Sequence, residues 1–407
     1  MNRQTDTASA TPAQTTEQRA AGAGVLVVIL AAVFMVAAEA RVISPLLPAI
    51  AADFATSITR AGFLISAYSI PYGLFQLVYG PLADRFSRQR VMGVALALFA
   101  LGTLVSGFAP TLLALDLLRL ATGAAAAGVI PVALAYVGDS VPYAQRQAAL
   151  GRVVSVASFG GVMSAALGGL IASLLSWRAL FVVYGILAGL VAVWMLLTPV
   201  RRARATGTAR HGIGGPYVEL FRITGRRALA LYLLVFVEGA VATSTIGFLG
   251  AFLFERDGFS YAVIGGLLMI NGIASMITGQ LIGRLVLRFS ERAMVLIGGL
   301  LMASAYLLVG LRPVQLFFPL GMLLTGCGFV IAHSTLQARA TELSPSHRGT
   351  AVALFAFSLF LGTGLGTFVA GLSIDQLGYN VTLAGTAAAC AAFAWLGTWL
   401  LGVMNDE

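Results

Sequence analysis

Lysine is missing altogether: all 25 basic residues are arginine. Charge of either sign is scarce, at 10% of the chain against about a quarter in soluble globular domains. That shortage excludes an ordinary soluble protein. With 59% hydrophobic residues and a mean hydropathy of +0.92, the chain belongs to the polytopic membrane class. Cysteine is nearly missing too. Cys327 and Cys390 both sit in apolar runs, so a disulfide framework and a cysteine metal site are excluded. A net charge of +9 raises the question of nucleic acid, but the arginines fall in short polar loops and not along one amphipathic face, which reads as membrane topology. Metal-ligand spacing, a phosphate loop, a nucleophile motif and a paired-carboxylate cleft outside the membrane are all lacking, so no enzyme, cofactor or metal site is expected.

What the chain has is apolar runs of about 20 residues, the length that crosses about 30 Å of hydrocarbon. Cutting at polar and Pro/Gly-rich breaks predicts twelve transmembrane helices, at 24–48, 61–79, 91–109, 111–137, 148–174, 178–198, 228–254, 262–285, 293–311, 314–338, 349–372 and 381–403. The expected fold is all-α, with two six-helix bundles. Residues 1–21 read as a disordered N-terminal arm, 22–199 as the first bundle, 200–227 as a basic linker, 228–403 as the second bundle and 404–407 as a tail. When successive loops are assigned to alternate sides, nineteen arginines fall on the side of the termini and four, Arg60, Arg178, Arg256 and Arg312, on the other. The positive-inside rule then puts both termini in the cytoplasm of a bacterial inner-membrane protein. Only Arg41 and Arg119 are left within the spans.

The two halves repeat. "GPLADRFSRQRV" from residue 80 returns as "GQLIGRLVLRFSERAMV" from 279, and "GDSVPYAQRQAAL" from 138 as "TELSPSHRGTAVAL" from 341. "GGLIASLLSWRALF" from 168 is echoed by "AGLSIDQLGYNVTL" from 370. Three matches in one order, at offsets near 200, predict a duplicated six-helix unit.

On these residues the chain resembles the major facilitator superfamily from about residue 24 to 403. Gly80, Asp84, Arg85, Arg88 and Arg90 match that superfamily's signature after span two, with Ser87 for the usual Gly and Gln89 for a usual base. "PLLPAIAADF" closing span one and "LDLLRLATGAAAAG" in span four resemble the twelve-span drug:proton antiporter branch. Span five departs from that branch's signature: Ser164 and Ala165 of "GGVMSAALGG" stand where Gly-Pro belongs. The resemblance implies alternating access to a central cavity lined by spans one, four, seven and ten. It also implies a gate in which Asp84 meets the start of span eleven near Gly349 while Arg85 or Arg88 pairs with Asp139.

Within that cavity the charges can be placed by depth. At about 1.5 Å per residue, Glu39 and Arg119 are level, and so are Arg41 and Asp116. Residues two apart on a helix point about 200° from each other, so either Glu39 or Arg41 faces the cavity, and not both. These four form either a protonation switch or structural ion pairs. Glu238 in span seven is the one acid inside the second bundle, without an arginine at its depth. It reads as a proton carrier, an anchor for a cationic substrate, or a protonated hydrogen-bond donor. Tyr68, Asn271 and the span-ten stripe Phe329, His333 and Gln337 are candidate cavity residues, each with a helix-packing alternative. The function expected is proton-coupled efflux of hydrophobic or cationic small molecules by a monomer in the lipid bilayer. The alternatives are transport of a sugar or other polar metabolite, and a non-transporting receptor of the same fold.

Overall fold

A computed structural model describes residues 12–141, 143–199, 215–311, 313–344 and 348–406. Arg3, Arg201, Arg202, Arg204, Arg210 and Arg312 of the topology count lie outside the described residues. Among the described residues there are helices and no strands. The helix of span one already begins at Pro12, within the arm that composition placed in disorder.

Eleven helical stretches are long and apolar enough to cross a membrane. The count falls one short of twelve because spans eleven and twelve form one helical segment, Arg348–Asp406, broken only at Gly378. That residue has φ 79° and ψ 170°, backbone that glycine adopts without a Cβ penalty, so the chain reverses there with no separate loop.

Seven spans are single helices: two (Ile58–Arg85), three (Arg88–Ser106), five (Tyr143–Leu174), six (Trp177–Leu197), eight (Tyr261–Val286), nine (Glu291–Val309) and ten (Val314–Glu342). Hydroxyl caps start several of them. Ser57, Ser176 and Ser290 accept the backbone N–H groups of Arg60, Ala179 and Ala293, each satisfying a donor that the first turn leaves free. Spans one, four and seven are broken. Span one runs Pro12–Glu39, then through a turn and a 3₁₀ segment (Ser44–Leu46) into Leu47–Asp53; span four is Leu112–Ala126 followed by Ile130–Ser140. The helix Gly215–Ala242 is bent at Gly225; span seven is its part beyond the bend, followed by Ile246–Asp257.

The breaks have local causes. Pro45 and Pro48 lack the N–H groups that would continue the ladder of span one, and Pro131 opens the second segment of span four. Span seven has no proline at its break. There Thr243 and Ser244 turn their hydroxyls back onto the carbonyls of Gly239 and Ala240, the local bonding that bends helices.

Buried apolar side chains form one cluster from Val25 to Met195 and another built almost wholly from Leu220 to Leu401. A third joins the halves through Leu46, Leu47 and Leu64 of the first and Phe248, Ala251, Ala370 and Ile374 of the second. It lies away from the arginine-rich loops. On that side Ser44 donates to the carbonyls of Ile246 and Gly247 at 3.2 and 2.9 Å, and Thr59 to Gly371 at 3.1 Å. Spans five and eight touch so closely there that a Cβ on Gly169 would strike the Tyr261 carbonyl. Toward the arginine-rich face the last tight approaches of spans two and eleven are at Gly73 and Tyr72, the latter ring 4.4 Å from that of Phe360. Beyond them, Gly80, Gly279, Gly283 and Gly349 have nothing within 4 Å of a Cβ. The halves are clamped on one side and splayed on the other.

One contact bridges the splayed side. Pro81 has no N–H for the carbonyl of Leu77, four residues earlier, and Tyr217 of the segment preceding span seven donates its hydroxyl to that carbonyl at 2.9 Å.

Within the first half, a Cβ on Gly123 would collide with the Tyr68 carbonyl, so spans two and four meet backbone to backbone. Gly123→Val is expected to cost about 1–3 kcal/mol through overpacking, read as a lower apparent Tm in detergent. Gly138→Ala, where a Cβ meets nothing within 4 Å, is expected to leave Tm unchanged or raise it.

Candidate functional site

The helix ladder of span one ends at Glu39, which is fully buried and forms an ion pair with the equally buried Arg119 of span four. The guanidinium lies over the Tyr68 ring at 4.3 Å and nearer the edge of Phe181's reach at 5.9 Å. Three atoms of this cluster, Oε2 of Glu39, Nε of Arg119 and the Tyr68 hydroxyl, have no hydrogen-bond partner among the described residues. Tyr68 is therefore a floor beneath the ion pair, 3% exposed, and not a cavity wall. The depth count that paired Glu39 with Arg119 is matched by this geometry.

The other half of that count needs correction. Asp116 pairs with Arg60, not with Arg41. Span two starts at Ile58, ahead of the expected 61, which brings Arg60 into its first turn beside the start of span four. Asp116 and Arg60 thus form a staple between spans two and four at the clamped end.

Arg41 is left alone. Its side chain is exposed, in a turn that leads to Ser44 and so to the contact of that residue with the second half. Ala40 is exposed beside it, whereas Glu39 and Val42 are buried. Of Glu39 and Arg41, Arg41 is the exposed one. Its backbone N–H, released from the helix ladder by the break, donates to Ser164 Oγ of span five at 3.0 Å. Ser164 is the residue that replaces the expected glycine of the span-five signature. Its hydroxyl holds the unwound segment, a contact that glycine has no side chain to make.

The second half carries a counterpart. Glu238 of span seven, 0% exposed, lies 3.3 Å from Nδ1 of His333 in span ten. The expectation that Glu238 has no partner at its depth is corrected: the partner is an imidazole. His333 stacks on Phe329 at 4.8 Å and meets Phe355 at 5.1 Å, which fixes the ring, yet its side chain keeps 21% exposure. Gln337, one turn on, is exposed. Oε1 of Glu238 has no hydrogen-bond partner among the described residues. Asn271 is 4% exposed and donates to the Met322 carbonyl at 3.4 Å, so it joins spans eight and ten and does not line the cavity.

At the arginine-rich face Arg88, and not Arg85, pairs with Asp139, at 2.8 Å. Among the described residues Asp84 has no ion pair with the start of span eleven. Its side chain is 64% exposed and lies 3.6 Å from Arg88, while Gly349 has nothing near it. Half of the expected gate is formed and half is open, in keeping with the splay of the halves. Gly80 likewise has no close neighbour. Gln89, which stands for a usual base, donates to the carbonyls of Met195 and Thr198 at 3.1 and 2.8 Å and caps the end of span six. No cluster of three His, Cys, Asp or Glu side chains that could hold a metal occurs among the described residues.

An all-helical membrane fold with duplicated halves, broken spans and charge pairs between them defines the class as a polytopic transporter. The model of the Major Facilitator Superfamily matches residues 29–288 and 231–407, and the chain belongs to that family. It is 29% identical to the MFS-type transporter YceJ of Bacillus subtilis (strain 168), over 83% of this chain and 86% of that one. A probable sugar efflux transporter of Helicobacter pylori (strain ATCC 700392 / 26695) is 27% identical over 86% and 88%. The puromycin resistance protein pur8 of Streptomyces alboniger is 27% identical over 84% and 79%. Among solved structures, a D-xylose-proton symporter has the same fold, with a TM-score of 0.77 at 16% identity over 92% of this chain and 97% of that one.

Arg119→Leu is expected to destabilise the protein by about 3–5 kcal/mol, because the Glu39 carboxylate then stays buried without its counter-ion. Removing both, in Glu39→Leu/Arg119→Leu, is expected to restore most of the loss. Thermal unfolding in detergent measures both; a single variant as stable as the parent would show that the pair contributes nothing to holding spans one and four.

Proposed function

We propose that this protein is a proton-coupled exporter of small organic molecules that works by alternating access. The observation that carries the reading is one buried carboxylate in each half, each paired across the same two helix positions: Glu39 with Arg119 on spans one and four, Glu238 with His333 on spans seven and ten. Arginine keeps its charge through any transport cycle, so the first pair changes state only by proton gain at Glu39. An imidazole can take up or release a proton near neutral pH, and His333 is accessible from the cavity while Glu238 behind it is not. A proton arriving through the cavity reaches His333 first, and its charge then decides whether Glu238 has a cationic partner.

The positive-inside rule supports a cytoplasmic arginine-rich face, with both termini inside and the described conformation open to the cytoplasm of a bacterial inner-membrane protein. Loading from that side fits efflux. The electrostatics favour a hydrophobic or amphiphilic substrate over a cation. Both cavity carboxylates are fully buried, and the charged side chain that meets the water is Arg41. The similarity to a puromycin resistance protein supports export of a small organic molecule. The sugar efflux relatives support a second, in which exposed Gln337 hydrogen-bonds a polar substrate. We take the protein as a monomer.

Everted membrane vesicles with an imposed pH gradient test coupling. Puromycin and a panel of sugars serve as probes. Accumulation is expected to follow the gradient, and Glu238→Gln to lose about tenfold or more of it while retaining downhill flux. His333→Ala is expected to flatten the pH dependence. Transport indifferent to the gradient, or unchanged in Glu39→Gln/Glu238→Gln, would sink the coupling.

A further inference from the structure

We propose that Arg41 is the substrate's polar anchor, and that the transported molecule is an amphiphile with a single acidic group of the carboxylate class. The inference rests on the transport reading above and names the substrate class of the same cavity. Arg41 has no carboxylate within ion-pair distance among the described residues. Every other described arginine facing the clamped end is held: Arg60 by Asp116, Arg178 by Asp53 and the Ala109 carbonyl, and Arg256 by the Gly310 carbonyl. A guanidinium kept inside a membrane protein without a counter-charge is costly, and such residues mark substrate or ion pathways.

Three features aim it at a ligand. The long helix ends with Glu39 locked against Arg119, and in the turn that follows Arg41 is exposed while Glu39 and Val42 are buried. The helix break then holds the Arg41 backbone through Ser164 on the first half, so the side chain is mounted on a fixed base. Three residues on, Ser44 donates to the carbonyls of Ile246 and Gly247, which places the turn that carries Arg41 at the seam of the two halves, where an alternating-access carrier holds its cargo.

The chemistry of the ligand follows. A planar guanidinium matches a carboxylate with two parallel hydrogen bonds. One arginine balances one negative charge, so a monoanion fits and a dianion leaves charge over. The rest of the molecule is largely apolar, because Glu39, Glu238, Tyr68 and Asn271 are all buried and the polar groups left accessible are Gln337 and one side of His333. A cationic drug meets repulsion at Arg41 and finds no exposed carboxylate in compensation.

Equilibrium binding to the purified full-length protein in nanodiscs tests this with a matched set: naphthylacetate, naphthylacetamide and naphthylmethylamine. Naphthylacetate is expected to bind about tenfold more tightly than the amide, and the amine most weakly. Arg41→Gln is expected to erase the acid-over-amide preference while leaving amide binding as it was, which also shows that the variant folds. Arg41→Lys is expected to retain part of the preference, since it keeps the charge and loses the paired hydrogen bonds. No binding of the acid, tightest binding of the amine, or a preference that persists in Arg41→Gln overturns the proposal. Because the readout needs no pH gradient, it stands apart from proton coupling: an intact charge preference in a protein indifferent to the gradient removes the coupling and keeps the anchor.

Discussion

The Glu39–Arg119 ion pair decides which way span one faces, and most of the site follows from that choice. With Glu39 locked against span four at the last residue of the helix, the turn that follows carries Arg41 exposed between buried Glu39 and Val42. The lock also sets where the helix can end. The carboxylate is the last residue of the long helix, and the proline-driven unwinding begins directly after it. In hydrocarbon each freed backbone group needs a protein partner. Ser164 meets that need at Arg41, and the departure from the family's span-five signature becomes part of the site's construction.

The two halves answer the same problem with different chemistry. In the first, a permanent cation faces a carboxylate on a floor of tyrosine and phenylalanine. In the second, the cation is an imidazole, held between two phenylalanines and open to water on one side. A duplicated scaffold thus carries one buried acid paired with a guanidinium and one paired with an imidazole.

Much of this was legible in the sequence, for reasons that are physical. Apolar length gave the spans, and arginine placement gave the two faces. Counting residues from span ends was enough to put Glu39 level with Arg119, although Glu39 is the last residue of its long helix. The count failed where it depended on an end. Span two begins at Ile58 and not 61, and those few residues turn Arg60 from a loop residue into the partner of Asp116. Span ten runs to Glu342, a turn beyond the expected 338, and His333 lies well inside it beside Glu238. The breaks of spans one and four carried a proline signal. The break of span seven did not, since Thr243 and Ser244 bend the helix by hydroxyl bonds that composition does not distinguish from ordinary packing.

The contact between Tyr217 and Leu77 alters what the middle of the chain is. Span two is left with an acceptor that its own ladder cannot fill, because Pro81 has nothing to donate. The donor comes from across the molecule, from a residue that precedes the other half's first span and is anchored there by neighbours such as Leu220. A first half severed ahead of Gly215 keeps an unfilled carbonyl. The halves are therefore incomplete as separate pieces, and the segment between them completes the backbone chemistry of the half it leaves behind.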